Sequence, residues 1–235
     1  MGLKHILLTI IILAAPVKAE VAIGVYDYTQ QQYIVEHNTQ HQQPIASITK
    51  LFTASTILRQ GQPLEERLKI TKTSRHLKRG EYYTRLELLK LMLVASDNVA
   101  ADTLANHYPN GYQQFLLDTN QWIRGFGLLN TTITDASGLN PTNLSTVDDL
   151  TKFLPTLQNH PVIQHSSDPK LHIHNKTILN TNPHTQTHQL QISKTGTTQA
   201  AGKCLVMLSN NQAIIMLGYK TQLQRYQTAK SLLVQ

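Results

Sequence analysis

Strand-like and helical patterns follow one another along this chain in an order that restricts its fold. Two strand-like runs, at residues 21–27 and 32–36, lie near the N-terminus, and three more lie near the C-terminus, at residues 190–195, 203–208 and 213–219. Helical spacing of apolar residues fills most of the interval between them. This order predicts an α+β fold: an antiparallel sheet of about five strands, built from both ends of the chain and flanked by helices, with an inserted all-helical lobe.

The helices are predicted from apolar residues that recur three or four positions apart. The predicted helices span residues 47–59, 84–94, 99–106, 111–126, 145–157 and 222–234. Ser145 is expected to cap its helix, with Asp148 three residues later in a capping-box arrangement. Residues 158–189 show no strong periodicity, and we expect a long surface excursion with short strands such as Leu171–Ile173.

The first 19 residues have the pattern of an export signal. A short basic start precedes an apolar run at residues 6–15, which is too short to span a membrane. Val17 and Ala19 then supply the small residues of a signal-peptidase site. We therefore expect cleavage after Ala19, a periplasmic location and a mature domain over residues 20–235, with an uncleaved anchor as the alternative.

Composition and charge exclude some classes of partner. Hydrophobic residues make up 40% of the chain and charged residues 15%, which is typical of a globular protein and not of a disordered one. The net charge of +7 favours anionic surroundings, although it could serve solubility alone. The densest basic run, Lys72–Arg79, is interrupted by other residues and carries no alternating aromatics, so the sequence predicts no nucleic-acid partner.

Cysteine and histidine give little sign of a metal site. Cys204 is the only cysteine, which excludes an intramolecular disulfide, and its apolar neighbours predict a buried strand residue. Six histidines lie in the polar stretch before the last strands: His160, His165, His172, His174, His184 and His188. No H-E-x-x-H or matching cysteine pattern accompanies them, so we expect solvated or hydrogen-bonded histidines and no metal.

The tetrad Ser47-Ile48-Thr49-Lys50 carries the chemistry. Side chains three positions apart share one face of a helix, so the Ser47 hydroxyl and the Lys50 amine can meet. A serine hydroxyl becomes a useful nucleophile when a neighbouring base takes its proton. Two triplets follow in order, Ser96-Asp97-Asn98 and Lys194-Thr195-Gly196. Each motif alone could be a helix cap, a turn or a strand end, but their joint order favours an acyl-transfer site.

These motifs and the runs that flank them resemble the low-molecular-mass penicillin-binding proteins, the serine D,D-peptidase family, and within it the murein D,D-endopeptidase branch. The flanking runs are residues 44–51, 107–112, 138–139, 143–146, 180–182 and 201–207. The likeness covers nearly all of the mature chain. It implies the penicilloyl-serine transferase fold, shared with β-lactamases, no cofactor and no metal.

The resemblance also implies a role for each motif residue. Ser47 would attack the D-alanyl carbonyl, Lys50 would be its general base, and Ser96 would relay a proton to the leaving amine. Lowering the pKa of Lys50 to about 7 corresponds to about 4–5 kcal/mol of preference for the neutral amine. Backbone N–H groups of Ser47 and Thr197 would form the oxyanion hole. The residues implied to bind substrate are Asn98, Lys194, Thr195, Gly196 and Thr197.

The implied partners are peptidoglycan stem peptides and cross-links, with β-lactams as inhibitors, and no membrane span after signal cleavage. A β-lactamase shares the motifs, but class A enzymes deacylate through a glutamate, and the last glutamate here is Glu87. We therefore expect slow release of a penicilloyl adduct from Ser47. A non-catalytic wall-binding protein on the same fold is a further alternative.

D,D-endopeptidases and D-Ala-D-Ala carboxypeptidases share this machinery. The chain ends at Gln235, soon after the last strand, without the extra C-terminal domain and amphipathic anchor of the main carboxypeptidase branch. We therefore expect endopeptidase activity to dominate.

Overall fold

The structure is a computed structural model, and it describes residues 19–209 and 211–233. The predicted export signal lies, except for Ala19, outside the described residues. No helix within the described ranges is long and apolar enough to cross a membrane.

Strands lie near both ends of the described chain, and helices occupy most of its middle. The strands are β1 Ala22–Asp27, β2 Gln32–His37, β3 Gln43–Pro44, β4 Arg67–Lys69, β5 Tyr82–Thr84, β6 Leu144–Ser145, β7 Lys170–Ile173, β8 Lys176–Leu179, β9 Ile192–Thr198, β10 Gly202–Ser209 and β11 Gln212–Tyr219. The helices are α1 Thr49–Arg59, α2 Arg85–Val94, α3 Asn98–Asn106, α4 Gly111–Gly125, α5 Val147–Phe153, α6 Pro161–Gln164 and α7 Gln222–Leu233.

The main sheet joins the two ends of the chain. Its five strands are antiparallel in the order β2-β1-β11-β10-β9, and β1 pairs along β11 from Ala22 opposite Leu217. Side chains alternate between the two faces: Val206 and Ile215 belong to the main core, whereas Leu205 and Met216 pack in a second cluster with Ala229 of α7. The predicted α+β class and five-stranded sheet are confirmed.

Helix α1 runs through the centre of the main core. Phe52 on this helix stacks on Phe153 of α5 at 4.0 Å between ring centroids, and Leu51 and Ile57 are also buried. Helices α2, α3 and α4 pack against α1 and form the inserted lobe, which also includes the short β4–β5 ladder. An apolar helix surrounded in this way gives a rigid support to whatever lies at its N-terminus.

Two local predictions were wrong. Thr146, not Ser145, caps α5: its Oγ1 accepts the Asp149 N–H at 3.0 Å, because Ser145 is held in β6 opposite Gln43. The stretch 158–189 does contain short strands, but it is not merely a surface excursion, since its apolar side chains enter the main core. The buried members are Val162, Ile163, Leu171, Ile173 and Ile178.

Cys204 lies fully buried in β10, as its apolar surroundings predict. The histidines in the C-terminal half of the described chain do not form a metal-binding cluster. Among residues 19–209 and 211–233, no three His, Cys, Asp or Glu side chains are grouped so as to hold a metal ion.

Candidate active site

Ser47 lies in a 3₁₀ turn, Ala46–Ile48, that leads directly into α1. The backbone before it is strained, since Ala46 has a φ of 48°. Two glycines let other segments press against this turn: a Cβ at Gly138 would lie 2.0 Å from the Ala46 oxygen, and a Cβ at Gly196 would lie 3.1 Å from the Ser47 nitrogen. The position of Ser47 is therefore fixed by backbone contacts from a loop and from β9.

The Lys50 amine is fully buried and has three hydrogen-bonding neighbours. Its Nζ lies 2.9 Å from Ser47 Oγ, 2.7 Å from Asn98 Oδ1 and 2.5 Å from the Ser137 carbonyl oxygen. A neutral amine has two N–H donors and one lone pair. Because Asn98 Oδ1 and the Ser137 carbonyl can only accept, they use both N–H groups and leave the lone pair for the Ser47 hydroxyl.

Burial also sets the charge state of this amine. Desolvation lowers the pKa of Lys50 to about 7, while Asp135, Asp102 and Asp97 oppose the shift by favouring the charged form. Burial likewise holds the pKa of Lys194 well below its usual range, and the neighbouring Lys50 lowers it further. The neutral form of Lys50 is therefore well populated near neutral pH.

The Ser137 carbonyl is held in place by Asp135, a residue that our sequence analysis did not single out. The Asp135 carboxylate accepts N–H groups from Ser137 at 2.9 Å, Gly138 at 2.5 Å and Asn140 at 2.6 Å, and it also accepts from Asn143 Nδ2 at 3.1 Å. These bonds fold residues 135–143 into a compact loop against α1. The D-x-x-G spacing of this turn is the signal in the sequence that could have revealed it.

The Ser96-Asp97-Asn98 triplet joins α2 to α3 by a tight reversal. Ser96 adopts a left-handed conformation with φ 58°, and Asp97 caps α3 by accepting the Ala100 N–H at 3.0 Å. The other oxygen of Asp97 accepts from Ser74 Oγ at 2.6 Å. Asn98 thus becomes the first residue of α3, from which its side chain reaches Lys50.

Strand β9 carries the third motif at the edge of the main sheet. One side of β9 pairs with β10 through Thr195 opposite Leu205 and Thr197 opposite Lys203. Thr197 is exposed, and Thr195 Oγ1 donates to Thr181 Oγ1 at 2.7 Å. The unpaired side of β9 borders the cleft, where its backbone can pair with an extended peptide.

The predicted site residues come together around a cleft of about 260 Å³. It is lined by Ser47, Ser96, Asn98, Leu139, Thr181, Thr195, Gly196, Thr197, Gln222 and Arg225. Lys50 and Lys194 lie buried behind this surface, and Lys194 Nζ donates to the Thr195 carbonyl at 3.1 Å.

Arg225 is the most informative of the cleft residues that sequence reasoning missed. It comes from α7, is nearly buried, and donates from Nη1 to the Cys204 carbonyl at 3.1 Å. No acidic partner of Arg225 occurs among the ion pairs of the described residues. A buried guanidinium of this kind makes the cleft suited to an anionic group. Its sequence context, an arginine inside an amphipathic terminal helix, resembles that of an ordinary surface cation.

A serine hydroxyl within hydrogen-bonding distance of a buried lysine amine, beside an open strand edge, is the arrangement expected of a serine peptidase of the Ser–Lys type. The sequence model of the D-alanyl-D-alanine carboxypeptidase family, peptidase S11, matches residues 11–217, and the chain belongs to this family. The chain is 33% identical over 220 residues to a D-alanyl-D-alanine endopeptidase of Escherichia coli K12, covering 84% of this chain and 71% of that protein.

Two further comparisons agree with this assignment. A D-alanyl-D-alanine endopeptidase of Pseudomonas aeruginosa is 35% identical over 212 residues, covering 82% of this chain and 68% of that protein. Penicillin-binding protein D2 of Listeria monocytogenes, solved in its ampicillin-bound form, superposes with a TM-score of 0.78 at 26% identity, covering 90% and 94% of the two chains. The predicted family and fold are therefore confirmed.

Proposed function

We propose that this protein is a periplasmic serine D,D-peptidase that hydrolyses D-alanyl bonds in peptidoglycan, chiefly as a D,D-endopeptidase of peptide cross-links. The observation that carries the proposal is the environment of Lys50, whose two acceptor neighbours leave its lone pair for the Ser47 hydroxyl. The endopeptidase preference is supported by the relatives from Escherichia coli and Pseudomonas aeruginosa, both named D-alanyl-D-alanine endopeptidase. Residues 20–235 would form the catalytic domain after cleavage at Ala19.

Acylation begins with proton transfer from Ser47 Oγ to Lys50 Nζ. The oxygen forms a bond to the D-alanyl carbonyl carbon, and the resulting oxyanion is held by the backbone N–H groups of Ser47 and Thr197. Collapse of this intermediate breaks the C–N bond. The leaving amine receives its proton through Ser96, which lines the same cleft.

The substrate strand is aligned by β9 and by polar side chains opposite it. Because Asn98 Oδ1 is engaged by Lys50, its Nδ2 group is the part that can donate to a substrate carbonyl. Backbone groups of β9 pair with the peptide, and Thr195, Gly196 and Thr197 form its floor. Arg225 places positive charge beside that floor, where a substrate carboxylate can bind, and the buried Lys194 supports the floor by donating to the Thr195 carbonyl.

Deacylation separates a peptide substrate from a β-lactam. After peptide cleavage the amine departs, and a water molecule takes its place beside Lys50 and attacks the ester. A β-lactam keeps its leaving amine tethered, and the chain has no glutamate beyond Glu87 to activate water by another route. We therefore expect a penicilloyl adduct on Ser47 that is released slowly.

The test is digestion of cross-linked peptidoglycan by the wild type and by Ser47→Ala, with separation of the products. We expect the wild type and a Ser231→Ala control to convert cross-linked dimers to monomers, and we expect Ser47→Ala to lose this activity. Labelled penicillin should modify the wild type at Ser47 only. A wild-type protein that neither cleaves dimers nor takes the label would refute the proposal, and rapid penicillin turnover would indicate a β-lactamase.

D-Ala-D-Ala carboxypeptidase activity is the second candidate, and Arg225 favours it. Among the described residues this buried cation has no acidic ion-pair partner, and its place beside the cleft suits the free terminal carboxylate of a pentapeptide. In the same digestion, pentapeptides shortened to tetrapeptides while dimers remain intact would assign this activity.

Mass measurement of the mature protein tests export, since cleavage after Ala19 fixes the expected mass.

A further inference from the structure

Strand β4 and the segment that leads from it towards β5 carry a large excess of positive charge. Residues 67–80, here called the basic excursion, contain six lysines and arginines and no carboxylate. These cations are Arg67, Lys69, Lys72, Arg75, Lys78 and Arg79, and all are exposed. The ion pairs of the described chain are Arg85–Glu66, His165–Asp168 and His174–Glu87, so none of the six cations is paired with an acid.

Three glutamates flank the basic excursion, Glu65, Glu66 and Glu81, so they offset its six cations only in part. Glu66 is engaged by the Arg85 guanidinium, and Glu81 accepts a hydrogen bond from the Tyr83 hydroxyl at 2.9 Å. The surface therefore keeps an excess of positive charge, although Lys72 also acts on Asp102, where it opposes the rise in pKa that burial causes. Such a surface attracts polyanions over about one Debye length, roughly 8–10 Å at physiological salt.

This surface is fixed to the rim of the cleft. Ser74 Oγ donates to Asp97 at 2.6 Å and accepts the N–H groups of His76 and Leu77. Leu77 is fully buried in the main core. Because Asp97 also caps α3, the basic excursion is anchored to the same turn that presents Ser96 to the cleft.

A second element adds charge on the same side. The β7–β8 hairpin packs on α2 and β5 through His174, whose ring stacks on Tyr83 at 5.0 Å and lies 3.3 Å from the Glu87 carboxylate. Burial is the largest cause of the lowered pKa of His76, and the nearby charges of Arg75 and Lys176 lower this pKa further, whereas Asp97 opposes the shift. Lys176 of the hairpin and Arg75 of the basic excursion therefore both lie near His76 at the rim of the cleft.

We propose that the basic excursion is a docking surface for the carboxylates of the second peptide strand of cross-linked peptidoglycan. The cleft borders a single strand edge, that of β9, which aligns one peptide strand and leaves the second strand of a cross-link on the rim. Peptidoglycan peptides carry side-chain and terminal carboxylates, which complement the six cations. This inference rests on the proposed function and explains how a cross-link is favoured over a single peptide.

The test measures binding without cleavage, in full-length protein carrying Ser47→Ala. Sedimentation with insoluble peptidoglycan over a salt series compares two triple variants of equal net charge. The first is Arg75→Gln, Lys78→Gln and Arg79→Gln in the basic excursion. The control is Arg59→Gln, Arg124→Gln and Lys152→Gln, exposed cations at or near the ends of α1, α4 and α5.

At low salt the excursion variant should bind peptidoglycan about tenfold more weakly than the control, because each exposed charge at a rim contributes a few-fold. The difference should shrink as salt rises. It should vanish on peptidoglycan whose carboxylates have been amidated. Arg75→Lys with Arg79→Lys, which keeps the charge, should restore binding.

Equal binding by the two triple variants overturns the inference. So does a difference that persists on amidated peptidoglycan, or one seen only with phosphatidylglycerol vesicles, which would identify a phosphate-bearing surface as the occupant. Penicillin labelling of protein with native Ser47 is run in parallel. Failure of labelling refutes the proposed function, whereas normal labelling with equal sedimentation refutes the docking surface alone.

Discussion

Alanine at position 138 should slow acylation of Ser47 much more than it destabilises the protein. Gly138 has a φ of +83°, and a Cβ there would lie 2.0 Å from the Ala46 oxygen and 2.9 Å from the Ser47 nitrogen. Contacts below 3.0 Å are essentially never seen, so the Ala46–Ser47 backbone and the loop must separate by at least 1.0 Å. That shift acts directly on the nucleophile and on one proposed oxyanion donor.

Gly127 provides the matched control, because its φ is +72° and a Cβ there meets nothing within 4 Å. Both alanine variants carry the left-handed cost of about 1–2 kcal/mol in the free energy of unfolding. Only Gly138→Ala also displaces Ser47, and a displacement of about 1 Å in a reacting group costs about 10²-fold in rate. Gly138→Ala should therefore be less stable than Gly127→Ala, because its Cβ meets backbone atoms, and its acylation rate should fall by more than the lost stability explains.

The assay is the second-order rate of acylation by a fluorescent penicillin, with thermal unfolding of each variant measured in the same buffer. We expect Gly127→Ala to acylate at close to the wild-type rate and Gly138→Ala to be about a hundredfold slower. If two folded variants acylate at the same rate, the loop contact does not position Ser47 and the reasoning fails.

Three other predictions concern charge in the site. Lys50 must be neutral to act as base, and its pKa is about 7. The acylation rate should therefore fall about tenfold per pH unit well below pH 7 and level off above it. A flat profile from about pH 5 to 8 would contradict this. Asp135→Asn removes a charge that raises the pKa of Lys50, so the acid limb of the pH profile should move to lower pH. The substitution also weakens the loop that holds Ser137, so the plateau rate should fall. An unshifted acid limb would argue against the electrostatic effect of Asp135. Arg225→Gln should raise KM for peptides with a terminal carboxylate more than for their amides, and equal effects on both would remove Arg225 from carboxylate binding.

The main sheet was predictable because its central strands are buried on both faces and therefore appear in the sequence as short, continuous apolar runs. The three motifs were found for a different reason, since hydroxyl, amine and carboxamide groups at fixed spacings stand out against apolar neighbours. The order of the elements then placed them near one another, and the structure does bring Ser47, Asn98 and Lys50 into hydrogen-bonding distance.

What could not be predicted depends on contacts between distant segments. Asp135 resembles any turn aspartate until the Ser137 carbonyl is seen to meet Lys50, 87 positions away in sequence. Arg225 resembles a surface cation until α7 is packed on the sheet. The cap of α5 was misplaced by one residue because Ser145 and Thr146 are both good caps, and only the pairing of Ser145 with Gln43 decides between them.

The pairing of β1 with β11 also determines when this protein can fold. Ala22 and Leu217 are partners although 217 − 22 = 195 positions separate them. A chain that emerges N-terminus first, from the ribosome or from an export channel, releases β1 and β2 long before β11, so they wait as a hairpin, which is marginally stable alone, until the last strand has emerged. Closing so long a loop is slow. Strand β9 is also late in the sequence, so no N-terminal fragment of the chain contains both walls of the cleft. Ser47 and Lys50 therefore come to lie beside β9 only when nearly the whole chain is present.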